Sequence, residues 1–113
     1  VKKIEAIIRP EKLEEVKAAL DDAGIHGLSV SQVTGRGKQR TRVFRGRGST
    51  GAETDMLQRL KVEVFVVADQ AERACEVIRT AAATGNVGDG KIFVLPVEGA
   101  LRIRTGETDA AAL

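Results

Sequence analysis

Residues 2–9 alternate, with Ile4, Ala6 and Ile8 on one face and Lys3, Glu5 and Ile7 on the other, a two-residue period that predicts a strand. Pro10 ends it. Proline suits the first turn of a helix, and Leu13, Val16, Leu20 and Ala23 then recur at three- and four-residue spacing up to Gly24, a natural C-terminal stop. Leu28, Val30 and the β-branched positions up to Thr34 predict a second strand, and residues 60–67 a third, with Leu60, Val62, Val64 and Val66 facing one way. Asp69 is placed to cap a second helix reaching about Ala83, whose apolar line is Ala71, Ala74, Ile78 and Ala81. Residues 91–97 form the fourth strand. Leu101 and Ile103, alternating with Arg102 and Arg104, predict a further short strand with both guanidinium groups on one face, about 7 Å apart.

The order βαββαβ predicts an α+β domain with a ferredoxin-like antiparallel sheet and two helices on one face. Residues 1–113 have the length of one domain with one core, of which residues 98–113 are a C-terminal segment. The sheet's other face should be wet, yet Ile92, Phe93, Val94 and Leu95 are apolar on both sides, and Ile7, Phe65 and Val67 also fall on the outer side. Other subunits covering that face, in a cyclic trimer or dimer, would explain this.

Net charge is only +2, but residues 36–47 hold six Lys or Arg and no acid, so the positive field is local. From 36 to 58 no period is visible. A loop of that length marks either a solvated mobile segment or an element that binds a partner. A basic Gly/Arg segment on such a sheet is also compatible with RNA, but the chain has three Phe and neither Tyr nor Trp for stacking bases, so no nucleic acid is expected. One Cys and one His make neither a disulfide nor a zinc site; no apolar run is long enough for a membrane span, and no signal-peptide pattern opens the chain, which places the protein in the cytoplasm.

Two glycine turns carry the candidate chemistry. In residues 84–91, Gly85, Gly88 and Gly90 free the backbone to aim successive N–H groups at one anion, and Lys91 adds a fixed charge, although a Gly-Asp-Gly turn before a strand is often only loop chemistry. Gly35, Arg36, Gly37, Lys38 and Gln39 form the second. With Arg102 and Arg104 these segments are suited to surround a nucleotide. No nucleophile stands with a base: His26 lies near a turn without an acid at suggestive spacing, Cys75 reads as filler on helix two, and no enzyme is expected.

The segments KKIEAIIRP, the GxGxQ turn at 35–39, TGxxGDGKIFVLPV at 84–97 and RIRTGETD at 102–109 together resemble the P-II family of nitrogen-regulatory signal proteins. The resemblance implies a homotrimer that binds ATP or ADP, with AMP a further candidate, in clefts between subunits and regulates an unidentified partner protein through the 36–58 loop. It implies phosphate contacts from Gly35, Gly37, Lys38, Gln39 and the backbone around Gly88, Asp89 and Gly90, reinforced by Lys91, with Arg102 and Arg104 reaching in from the neighbouring subunit. Ile7, Ser29, Glu63 and Phe65 are implied to line the base and ribose pocket. A small anionic metabolite, 2-oxoglutarate with magnesium, is implied at Gly37, Lys38, Gln39, Arg59 and Gly88, Gln39 being the metal ligand.

The chain departs from that family in three places. Lys38 stands for the usual Arg, a point charge in place of a planar two-pronged donor, and Arg59 for the usual Lys. The usual loop tyrosine is missing, because the chain has no Tyr, which rules out uridylylation there and leaves Ser49 or Thr50 as modification candidates. The altered loop resembles that of a divergent branch, such as the carboxysome-associated P-II-like proteins that sense bicarbonate with ADP or AMP; the sequence leaves oxoacid and bicarbonate open.

Overall fold

The computed structural model of the chain describes residues 1–42 and 53–113, with side chains described for 1–36 and 57–113. Four strands, β1 (Lys2–Ile8), β2 (Ser29–Arg42), β3 (Glu53–Val66) and β4 (Lys91–Pro96), form one antiparallel sheet in the order β2-β3-β1-β4. Two helices, α1 (Leu13–Asp22) and α2 (Ala71–Ala82), pack together against one face of it. This is the expected βαββαβ arrangement. No helix among the described residues is long and apolar enough to cross a membrane.

The strand periodicity is what builds the core. Ile4, Ala6 and Ile8 of β1 and Val62, Val64 and Val66 of β3 point toward the helices and are buried, meeting Val16 and Leu20 of α1 and Ala74 and Ile78 of α2. Helix α1 ends as its glycine predicts: Gly24 adopts a φ of +81°, and the N–H groups of Ile25 and Gly24 donate back to the carbonyls of Leu20 and Asp21, both at 2.9 Å. Ile25 is itself buried, which fixes the exit of the chain from the helix.

Four expectations are corrected. Strand β2 runs to Arg42 and β3 begins at Glu53, so residues 36–42 and 53–58 of the expected loop are strand, and 43–52 lie outside the described residues. Backbone pairing needs no apolar face, so the charge run hid it. Pairing is continuous from Ser29↔Glu63 to Arg36↔Met56 and resumes at Thr41↔Thr54, which leaves residues 37–40 opposite Asp55 alone, an irregularity larger than a simple bulge. Asp69 does not cap α2: it sits within a 3-10 turn, Ala68–Gln70, and the helix starts from Gln70 with no side-chain cap. Ala82, rather than Ala81, is the fully packed residue at that helix's end. Finally, His26 has an acid beside it after all. Its Nδ1 lies 2.6 Å from Asp21 Oδ1 at the exposed end of α1, because the tight exit after Gly24 folds the chain back over the last helical turn. Cys75 is half-buried against the core, and desolvation raises its thiol pKa above the ordinary value.

The other sheet face carries Lys3, Glu5 and Ile7, Lys61, Glu63 and Phe65, and Lys91, Phe93 and Leu95, as the register requires. Lys3 pairs with Glu63 at 2.6 Å and Lys61 with Glu5 at 3.1 Å, across the two central strands. Phe65 and Phe93 remain 45% and 49% exposed beside these pairs. Leu20 is fully buried where both helices meet the sheet. Leu20→Ala is expected to cost about 2–5 kcal/mol, read as a lowered denaturant midpoint with an unchanged slope at fixed protein concentration.

Candidate anion and nucleotide site

Between α2 and β4 the chain makes the glycine turn predicted to bind an anion. Gly85, Gly88 and Gly90 have φ of +88°, +104° and +102°, where other residues are strained. At Gly90 the constraint is also steric: a Cβ there would stand 1.7 Å from the carbonyl oxygen of Ile7. The turn is therefore pressed against the backbone of β1.

The Asp89 carboxylate holds the turn together. It accepts from the backbone N–H groups of Thr84 (2.7 Å) and Gly85 (2.9 Å), from the Thr84 hydroxyl, and from Arg9 Nε at 3.1 Å. These bonds, the Thr84 hydroxyl foremost, hold the carboxyl well below the usual carboxylate range. Arg9 also donates from Nη2 to the carbonyl of Val87, at 3.0 Å. Sequence reasoning placed Asp89 in the site but missed Thr84 and Arg9. Thr84 shares a turn with Asp89 and was open to detection by spacing; Arg9 is eighty residues away.

With the Asp89 carboxylate committed to these bonds, other donors of the turn are left over. Lys91 is exposed and, among the described residues, its ammonium has no partner; nor does the N–H of Gly88 donate to any acceptor among them. Ile7, Gly85, Asp89, Gly90, Lys91 and Ile92 line a cleft of ≈ 430 Å³ here. Such a turn can receive a phosphate or carboxylate.

Ser29, Glu63 and Phe65 line a different, larger cleft of ≈ 690 Å³, with His26, Gln70 and Leu113. One chain therefore separates Ile7, Asp89, Gly90 and Lys91 from Ser29, Glu63 and Phe65, toward opposite edges of its sheet, whereas Gly35, Arg59, Gly88, Arg102 and Arg104 line neither of these clefts; β2 and β4 are three strand spacings, about 14 Å, apart. Glu63 is tied to Lys3, and their mutual hydrogen bond lowers the carboxyl pKa and raises that of the ammonium. Gly35 pairs with Leu57 just before the irregularity that contains Gly37, Lys38 and Gln39, whose side chains lie outside the described residues. Arg59 stands opposite Val33 and donates to the carbonyl of Gln58 at 2.9 Å. Ser49 and Thr50 lie outside the described residues.

Arg102 and Arg104 are not on a strand, which corrects that expectation. Leu101 makes a single bridge with Thr108, and between them the chain turns, with Gly106 at φ +74° donating to the carbonyl of Arg102 at 2.8 Å. The glycine closes the segment on itself before a ladder can grow. Arg102 contacts Glu107 at 3.5 Å and donates to the Leu113 carbonyl at 2.9 Å, while Arg104 is exposed.

Two outcomes test the turn. Gly90→Ala must either displace Ile7 or break the turn, so it should cost more than the ~1 kcal/mol typical of an exposed glycine replacement, seen as a large fall in melting temperature. Because the pKa of Asp89 is depressed, its stabilisation is complete above the ordinary carboxylate value of about 3.9 and is lost as pH falls from there through the lower folded value. The amide signals of Thr84 and Gly85 should accordingly hold their positions to about pH 4 and move only below it. A midpoint at the ordinary value would show that the carboxylate is not held.

The profile of the family described as Nitrogen regulatory protein P-II matches residues 1–107. Over all 113 residues the chain is 50% identical to the protein of that name from Synechocystis sp. and 51% identical to that from Nostoc punctiforme, each covered completely. It is 50% identical over 115 aligned positions, again with full coverage of both, to the one from Cereibacter sphaeroides. Those matches run through the glycine turn, the sheet and the C-terminal arginines alike, and the chain belongs to the P-II family of nitrogen regulatory proteins, which are signal transducers and not enzymes.

Proposed function

We propose that this chain works as a homotrimer that binds ATP or ADP in clefts between subunits, together with a small anionic metabolite, and so controls a partner protein through residues 36–58. The observation that carries this reading is the division of the site. The turn at 84–91 offers N–H groups and Lys91 for phosphates, whereas Ser29, Glu63 and Phe65 offer an apolar and hydrogen-bonding wall for a base and ribose, and the two lie in separate clefts. Neither suffices alone. Two neighbouring copies, each turning a different edge toward the other, bring complementary halves together, and family members are typically homotrimers. Phe65, Phe93 and Leu95, half-exposed on the open sheet face, supply apolar surface for that contact.

The relatives' shared name favours nitrogen regulation; 2-oxoglutarate is the effector that goes with that reading. The absence of Tyr from the whole chain supports a second reading, a carboxysome-associated sensor of bicarbonate with ADP or AMP. Magnesium would be held by Gln39 only with ATP and 2-oxoglutarate bound, and the Gln39 side chain lies outside the described residues.

Calorimetry should show ATP or ADP binding in the micromolar range or tighter, and no salt-sensitive binding of single-stranded RNA; the reverse would reject the reading. Replacing both Arg102 and Arg104 by Ala should weaken the nucleotide at least about tenfold, since charge-assisted phosphate contacts contribute roughly 1.5–3 kcal/mol each. Sedimentation would check that the oligomer persists. Hydrogen exchange across residues 36–58 with ATP, ADP or AMP, each with 2-oxoglutarate or bicarbonate, should then select the effector: protection by ATP, magnesium and 2-oxoglutarate supports nitrogen sensing, and protection by bicarbonate with ADP or AMP supports inorganic-carbon sensing. Indifference to every combination would reject control through this segment.

A further inference from the structure

We infer that Arg9 is a positioning residue for the anion site: by holding the carbonyl of Val87, it fixes the Val87–Gly88 peptide so that the Gly88 N–H faces the ligand. The inference rests on the reading of the 84–91 turn as the phosphate-binding half of the site, but its first test does not need a ligand.

The geometry follows from the sheet. Strands β1 and β4 pair antiparallel from Lys2↔Pro96 to Ile7↔Lys91, and the same register carried two residues further sets Arg9 opposite Asp89. The ladder has stopped by then, and the side chain takes its place. Arg9 Nε reaches the Asp89 carboxylate and Nη2 reaches the Val87 carbonyl, so the planar fork bridges two points of the turn at once. The Arg9 side chain is only 16% exposed, so it is packed in place and does not sweep through solvent. Pro10 restricts its backbone further, with ψ at 138°.

The consequence lies one atom further on. No peptide in the described chain is cis, and in a trans peptide the C=O and N–H of one plane point in opposite directions. Anchoring the Val87 carbonyl on Arg9 therefore turns the Gly88 N–H away from Arg9, and among the described residues that N–H has no acceptor. Gly88, at φ +104°, has the conformational freedom for the peptide to rotate without this anchor. An anionic oxygen of phosphate or carboxylate would meet a donor already aimed at it. Without Arg9, binding must first select that orientation from several, which lowers the apparent affinity.

Arg9→Lys is the decisive variant, because it keeps a positive charge near Asp89 but loses the two-pronged fork. In the ligand-free protein, backbone amide NMR should show the Gly88 signal displaced in both Arg9→Lys and Arg9→Ala. In Arg9→Lys the Thr84 and Gly85 amides, which Asp89 still holds, should stay close to their original positions. Calorimetry should show ATP affinity about tenfold weaker in Arg9→Lys as well as in Arg9→Ala, the loss expected for one oriented donor to a charged oxygen. An unmoved Gly88 amide in Arg9→Lys would overturn the inference, and so would full rescue of affinity by Lys. Weakened ATP binding with Gly88 unmoved would overturn it too, by making Arg9 a direct contact. If the unaltered protein bound no adenine nucleotide, the nucleotide reading would fall, while the Gly88 amide would still decide the role of Arg9.

Discussion

The antiparallel register between the first and last strands is the constraint on which the rest depends. It places Ile4 beside Val94 and Ile7 beside Lys91, and so determines which residues of both strands face the helices. Where the ladder ends, it brings Gly90 against the carbonyl of Ile7 so closely that no side chain fits. One residue later it sets the Asp89 carboxylate within reach of Arg9. A slip by one residue would reverse every face and separate that pair. The core and the candidate site thus rest on the same set of backbone hydrogen bonds.

That arrangement explains how an acidic residue can stand at the centre of a candidate anion site. An unpaired carboxylate beside a phosphate would repel it, but Asp89 is surrounded by N–H, O–H and guanidinium donors that face inward. Its charge serves to fold the turn. Among the groups left over once Asp89 is satisfied are the Gly88 N–H and the ammonium of Lys91, neither with a partner among the described residues.

On the open face of the sheet, charge is arranged differently. Lys3, Glu63, Glu5 and Lys61 form two cross-strand pairs, so the charge on the two central strands is already neutralised where a covering partner would desolvate it. Isolated charges there would oppose burial far more strongly. The half-exposed Phe65, Phe93 and Leu95 around these pairs provide the apolar area that burial would remove from water.

Much of this was legible in the sequence because it depends on local periodicity and on glycine. The alternation of Ile4, Ala6 and Ile8 and of Val62, Val64 and Val66, the helical spacing of Val16 and Leu20, the stop at Gly24 and the glycine turn before Lys91 each follow from residues within one or two turns of one another. The resemblance that named the family rested on those same local motifs. Tertiary structure alone decided what depends on residues distant along the chain. The strands extend into the charged segment because backbone pairing ignores side-chain polarity, and no pattern of side chains announces it. The C-terminal arginines sit on a closed turn, not a strand, because Leu101 finds its partner in Thr108. Arg9 meets Asp89, eighty residues later, only because two strands pair in one register, and the two halves of the candidate site separate because the sheet carries them toward opposite edges. Local sequence specifies which conformations each segment prefers; which segments meet is fixed only when a common core selects one register among many.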